Sequence, residues 1–176
     1  TMGSNIVIPN QYGDNIFPRV CAGDDGEFFV VWALCPTGTE AEHFEAMMFA
    51  HYKDGAFSKP FTVSPGLGAF PIVSYDELDQ TVSVYWQHTM RGAGGLSIQQ
   101  ALRKRSANGT WGNTIYLTNN TYAGDRIESC PPDINGCEYI VYEYKVQIGP
   151  EHLEIAFNHT RSGDWMRYPI VLTANK

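Results

Sequence analysis

Two short segments set a tyrosine ring beside a carboxylate, Tyr12-Gly13-Asp14 and Tyr122-Ala123-Gly124-Asp125, with the two tyrosines 110 residues apart. A flat ring that stacks and an acceptor for hydroxyl hydrogen bonds make a sugar-binding pair. The same residues also suit a glycine turn in which the aspartate bonds its own backbone. Arg126 follows the second pair directly, and Arg19 lies a few residues beyond the first. His88 and Arg91 in Gln87-His88-Thr89-Met90-Arg91, and Tyr144 in Glu143-Tyr144-Lys145, are the other polar candidates for the same ligand. No two carboxylates stand out as a glycosidic acid and its partner. His43, His51, His152 and His159 lack metal-ligand spacing, and the four cysteines form no Cys-x-x-Cys pair, so neither metal nor cofactor is expected.

The elements that must position these residues come from an internal repeat. Tyr52-Lys53-Asp54-Gly55-Ala56-Phe57, Ser106-Ala107-Asn108-Gly109-Thr110-Trp111 and Thr160-Arg161-Ser162-Gly163-Asp164-Trp165 align, and their final aromatics are 54 and 54 residues apart. A second series places Trp32, Trp86 and Tyr142 at intervals of 54 and 56. Phe17-Pro18-Arg19-Val20 and Phe70-Pro71-Ile72-Val73 precede the first two, and Ile127-Glu128-Ser129-Cys130 is a degenerate third copy. Each repeat reads as four short strands, a to d, which in the first copy cover about 17–22, 27–33, 43–51 and 60–64. Asp25-Gly26, Asn135-Gly136, Asp54-Gly55 and Asn108-Gly109 predict tight type I′ turns between them, because both central residues need positive φ. Sustained helical periodicity is lacking, so almost no helix is expected.

Four-stranded units of this length are the signature of propeller blades, which bury their faces by stacking around an axis. The expected fold is therefore all-β, with three four-stranded antiparallel blades over about 17–69, 70–126 and 127–176. An extra d-type strand is expected at the N-terminus, because Asn5-Ile6-Val7-Ile8-Pro9-Asn10 resembles Thr114-Ile115-Tyr116-Leu117-Thr118-Asn119. Thr1 to Ser4 read as a cloning remnant. Phe57, Trp111 and Trp165 are expected to cap their blades after the c–d turn. In this fold ligands meet the d–a and b–c loops near the axis, where Tyr12, Asp14, His88, Arg91, Tyr122, Asp125, Arg126 and Tyr144 would gather. The acidic pairs Asp24-Asp25 and Asp76 with Asp79, and Asp133, fall in a–b hairpins, where turn chemistry explains them better than calcium.

Composition narrows the partners. The chain of 176 residues is 43% hydrophobic and carries a net charge of −7, with 17 glycines and 10 prolines. That charge opposes a nucleic-acid backbone. Arg103-Lys104-Arg105 is the one basic run and reads as solvated edge charges. No apolar run approaches the roughly 18 residues of a membrane span. Cys130 and Cys137 flank a hairpin and could face one another. Asn-x-Ser/Thr sequons at Asn108, Asn119 and Asn158, with the low lysine content, tilt the expected setting toward secretion.

Ser106-Ala107-Asn108-Gly109-Thr110-Trp111 resembles a degenerate Asp-box, the Ser-x-Asp-x-Gly-x-Thr-Trp motif of sialidase-like propellers, which in that family also sits between the third and fourth strands. The resemblance implies blade architecture over nearly the whole chain. It says little of activity, since many non-enzymes carry such boxes. Phe17-Pro18-Arg19-Val20 differs from the family's Phe/Tyr-Arg-Ile-Pro motif and the arginines do not fall at equivalent positions, although Arg19 and Arg126 could contribute to an arginine cluster. Three blades leave two open faces, so either two chains close a six-bladed ring or the chain is a piece of a longer propeller. The expected function is non-catalytic, lectin-like carbohydrate recognition by a homo-oligomer. A fragment of a sialidase-like glycoside hydrolase, or a structural or protein-interaction propeller, are the alternatives.

Overall fold

The computed structural model describes residues 7–8, 13–35, 46–64, 66–92, 95–117, 123–130, 138–144, 152–158 and 165–170. For residues 90–98 and those beyond 117 the description covers backbone alone. Nearly everything described is strand, in three antiparallel sheets, and one short 3-10 turn at Asp24–Gly26 is the single helical feature among these residues. The first sheet holds β1 (Asp14–Ala22), β2 (Phe28–Cys35) and β3 (Ala46–Lys53) in sequence order, with both β4 (Ala56–Phe57) and β5 (Phe61–Ser64) on the free edge of β3. The second runs β6 (Gly68–Asp76), β7 (Thr81–Gly92), β8 (Gly95–Arg105), β9 (Ile115–Tyr116). The third runs β10 (Ala123–Cys130), β11 (Glu138–Tyr144), β12 (His152–Asn158), β13 (Trp165–Ile170). Apart from β4 and β5, strands consecutive in the chain lie side by side within each sheet, and β6 packs against β1 and β2 and also against β10.

Period-two alternation builds the core. Phe29, Val31 and Ala33 of β2, with Met47 and Phe49 of β3, turn one face of the first sheet toward Val73 and Tyr75 of β6, Val82, Val84 and Trp86 of β7, and Ala101 of β8. Most of these side chains are fully buried, each contributing about 1.5–3 kcal/mol if large and apolar. The intervening residues Trp32, Leu34, Met48 and Ala50 form a second buried cluster on the opposite face of the first sheet, against which Ile8 and Phe57 pack. Of the extra strand expected at 5–10, Val7 and Ile8 are described; neither is in a strand, and the remainder lies outside the described residues.

The turns divide. Asp25 (φ 49°) with Gly26 (φ 78°), and Asp54 (φ 52°) with Gly55 (φ 85°), adopt the positive φ pairs expected of type I′ turns, the first closed by Glu27 N–H donating to Asp24 O at 2.9 Å. Asn108-Gly109 does not, because only Gly109 takes positive φ (86°). There the Asn108 side chain organises a wider loop instead: Oδ1 accepts from Ser106 Oγ at 2.7 Å and from Thr110 N–H at 2.9 Å. Ser106 N–H donates to Thr110 O at 2.9 Å. Asn135-Gly136 and Cys137 lie outside the described residues. Each repeat's aromatic then enters the sheet just past its c–d turn, opposite the end of the preceding strand: Phe57 opposite Tyr52, Trp111 bridged to Arg105, Trp165 opposite Asn158. The fourth strand of the first sheet is split into β4 and β5, consistent with Pro60 having no N–H to donate.

Candidate functional site

Registers bring the ends of all three sheets into correspondence. Asp14 at the start of β1 pairs with Cys35 at the end of β2; Gly68 at the start of β6 pairs with His88; Ala123 at the start of β10 pairs with Tyr144 at the end of β11. A bulge interrupts each first strand just beyond that point, between Ile16 and Arg19, Ala69 and Ile72, and Ala123 and Ile127. Among the described residues, Asp14, His88 and Tyr144 therefore occupy corresponding positions in the three sheets. Asp14 is exposed there, and Asp125 and Arg126 occupy the β10 bulge. Arg19 resumes the β1 register opposite Val31. Tyr12 and Tyr122 lie outside the described residues. His88 and Arg91 were expected in a loop but belong to strand: β7 runs on to Gly92, with His88 opposite Gln99 and Arg91 opposite Leu96 of β8. Thr89 opposite Ile98 is a β-branched pair that favours that extension, and Gly92 and Gly95 close its last pair.

The bulges hold residues that sequence reading took only as a repeat signature. Phe17 (φ 53°) and Phe70 (φ 49°) both sit in the left-handed region, which bulky side chains rarely enter. Their rings meet with centroids 4.8 Å apart at 38°. Phe17 stays 38% exposed, so the pair offers an aromatic surface beside the first strands. The repeated Phe-Pro dipeptide was the available signal, but nothing in it announced positive φ. Nearby, the half-buried His88 ring lies 5.4 Å from Tyr116, and its Nδ1 is buried with no hydrogen-bond partner among the described residues. Burial pushes the His88 imidazole below its ordinary pKa, favouring the neutral ring. Gly68 is required beneath it, because a Cβ would lie 2.9 Å from Trp86 Cδ1 and 3.0 Å from Met47 Cγ.

A second polar cluster occupies the other end of the interface between the first two sheets. A cleft of about 360 Å³ opens between the Asp24–Gly26 turn, the end of β3 and the loop after β8. Glu27 is ion-paired to Lys53, and its Oε2 lies 3.3 Å from His51 Nε2 without hydrogen-bond alignment. Lys53 chiefly holds the Glu27 carboxyl below the usual range, while burial, opposed by Glu27, lowers His51. Tyr75 Oη donates to Asp24 Oδ2 at 2.7 Å, and burial first, then that carboxylate, raises the phenol. Arg105 is half-buried, with its guanidinium 6.0 Å over the Phe49 ring, and desolvation lowers its pKa.

The expectation that Arg103-Lys104-Arg105 is a solvated basic run fails at both arginines. Arg103 and Arg105 share the strand face turned toward the first sheet. Arg103 donates from Nε to Gly112 O and from Nη1 to Val63 O, both at 2.8 Å, and lies 5.7 Å from the rings of Phe61 and Trp111. Alternation with the buried Ala101 carried that signal, since i, i+2 and i+4 point alike. Among the described residues no group of three or more His, Cys, Asp or Glu could hold a metal ion.

No protein-family model matches the chain, and no curated protein matches it by sequence. Solved structures do. Hadza microbial sialidase Hz136 superposes with a TM-score of 0.66 at 14% identity, over 88% of this chain and 37% of that one. A protein of unknown function from Dyadobacter fermentans gives a TM-score of 0.68 at 15% identity, over 96% of this chain and 58% of its own. The catalytic domain of the Coprinopsis cinerea GH62 alpha-L-arabinofuranosidase aligns at a TM-score of 0.35 and 10% identity, over 93% and 71%. The first two likenesses carry the fold, an antiparallel β-propeller, and this chain spans less than two thirds of either protein.

Proposed function

We propose that the chain is a non-catalytic, lectin-like propeller segment that binds a carbohydrate at the edge bearing Asp14, Phe17, Phe70 and His88. The observation carrying this reading is the Phe17–Phe70 pair: two strained aromatics at matching bulges, in contact at 4.8 Å, with Phe17 still 38% exposed. Strained backbone of about 1–3 kcal/mol per residue persists where the surroundings impose it, and such positions concentrate at ligand sites. An aromatic face takes the apolar side of a pyranose, while Asp14 accepts hydroxyl protons and neutral His88 can donate or accept. Asp125, Arg126, Arg91 and Tyr144 would extend the polar rim, and Tyr12 and Tyr122 are the aromatic candidates that the sequence adds. In the same proposal two chains meet head to tail and complete a ring, outside the cell.

A glycan array probed with the full chain and with F17G and F70G tests the reading. Glycine tolerates both backbone conformations, so the variants remove the rings without imposing new strain. Binding by the wild type that falls tenfold or more in both variants is the expected result. Wild-type protein that captures no glycan sinks the proposal. The fold shared with a sialidase supports a second reading, a portion of a glycoside hydrolase; turnover of fluorogenic glycosides would decide for it.

A further inference from the structure

The cleft beside Arg105 contains two charges that attract neighbours, Arg105 toward Glu27 and exposed Asp25 toward Lys53, without a hydrogen bond to hold either. Asp24 is engaged by Tyr75, and Glu27 by Lys53 and His51. Neither the Arg105 guanidinium nor the Asp25 carboxylate has a hydrogen-bonding partner among the described residues, yet both line the cleft. A half-buried guanidinium loses hydration that its ring contact with Phe49 and its attraction to Glu27 only partly replace. Its planar fork matches a carboxylate bidentately. Asn108 adds donors on the same wall: its Oδ1 is occupied by Ser106 and Thr110, and its amide N–H groups are the part left to face a ligand.

The sign pattern selects the ligand. A simple anion would be repelled by Asp24, Asp25 and Glu27, and a simple cation by Lys53 and Arg105. A neutral polyol would give neither Arg105 nor Asp25 a charged partner. A molecule with a carboxylate and an ammonium a few atoms apart answers both. At about 360 Å³ the cleft lies near the lower end of small-molecule sites, which run from roughly 300 to 1,000 Å³. We propose that this cleft is a second binding site, separate from the carbohydrate edge, that takes a small zwitterion of the α-amino-acid type, its carboxylate on Arg105 and Asn108 and its ammonium at Asp25.

Calorimetric and NMR titration of the full chain with L-alanine, acetate and methylammonium at neutral pH tests this. L-Alanine should bind saturably, with acetate and methylammonium each at least about tenfold weaker, the difference of one lost charged contact. R105K keeps the charge and removes the fork, and D25N alters an exposed turn residue. Each should weaken L-alanine binding by about tenfold while thermal melts report an intact fold. Acetate binding as tightly as L-alanine, unchanged affinity in R105K or D25N, or no saturable response up to about 100 mM would each overturn the proposal. The glycan array is independent, so either site can fail alone.

Discussion

His51 and His88 give the molecule a defined response to acid. Burial leads in holding both imidazoles below their ordinary pKa, whereas an unfolded histidine takes up its proton near 6.5. The unfolded chain therefore binds more protons between those two values, and stability rises with pH through that window. The contribution is complete above about pH 6.5 and fades as pH falls below it. Glu27, also lowered, adds a second loss below the ordinary glutamate value of 4.5. Melting temperature should fall between neutral pH and about pH 5, and the H51Q/H88Q double variant should flatten that limb. An unchanged slope would remove the two histidines from the account. His51 read from sequence as an isolated residue without metal-ligand spacing. Its stacking on Phe29 at 4.8 Å depends on the register of the β2–β3 pair, which sets His51 directly opposite Phe29 and which spacing along the chain did not fix.

At the level of elements, the loop after β8 and the aromatic that follows it carry the sharpest expectations. N108A removes the acceptor that gathers Ser106 and Thr110 and should cost about 1–2 kcal/mol in urea unfolding. Trp111 stacks on Phe61 at 5.5 Å and 9° and meets Phe49 edge-on at 5.0 Å, joining the second sheet to the first. W111A should cost about 3 kcal/mol, near the lower end for losing a large aromatic. A loss under about 1 kcal/mol would mean that the 54-residue aromatic spacing does not mark a structural anchor. The strands were legible because alternation, β-branched residues and Asx-Gly turns agreed in the first sheet, where the boundaries moved by only a few residues. They were less legible where a side chain replaced backbone strain: Asn108-Gly109 has the composition of Asp54-Gly55 but solves its turn through Oδ1. The first strands also start earlier than Phe17 and Phe70 suggested, since pairing continues across a bulge that alternation alone cannot register.

For the whole molecule, the repeat arithmetic led to the architecture, and the likeness to two propellers at under 16% identity rests on that architecture rather than on shared residues. Self-association is then the property to measure. The proposed closed ring predicts a light-scattering mass of twice the 19.7 kDa chain near physiological salt, and a monomer would rule out closure by two copies. Function was much less legible. The edge that Asp14 and His88 share is fixed by register between strands, and the charges at Arg105 are presented by a sheet interface, neither of which spacing along the chain encodes. The paired bulges have a further consequence. Phe17 and Phe70 repeat not just a residue but an unfavourable backbone conformation, at the same step of the same ladder. Independent drift would not be expected to reach the same costly conformation twice. Copying of one segment that already carried the kink would produce this pattern, and the feature would then be older than the duplication itself.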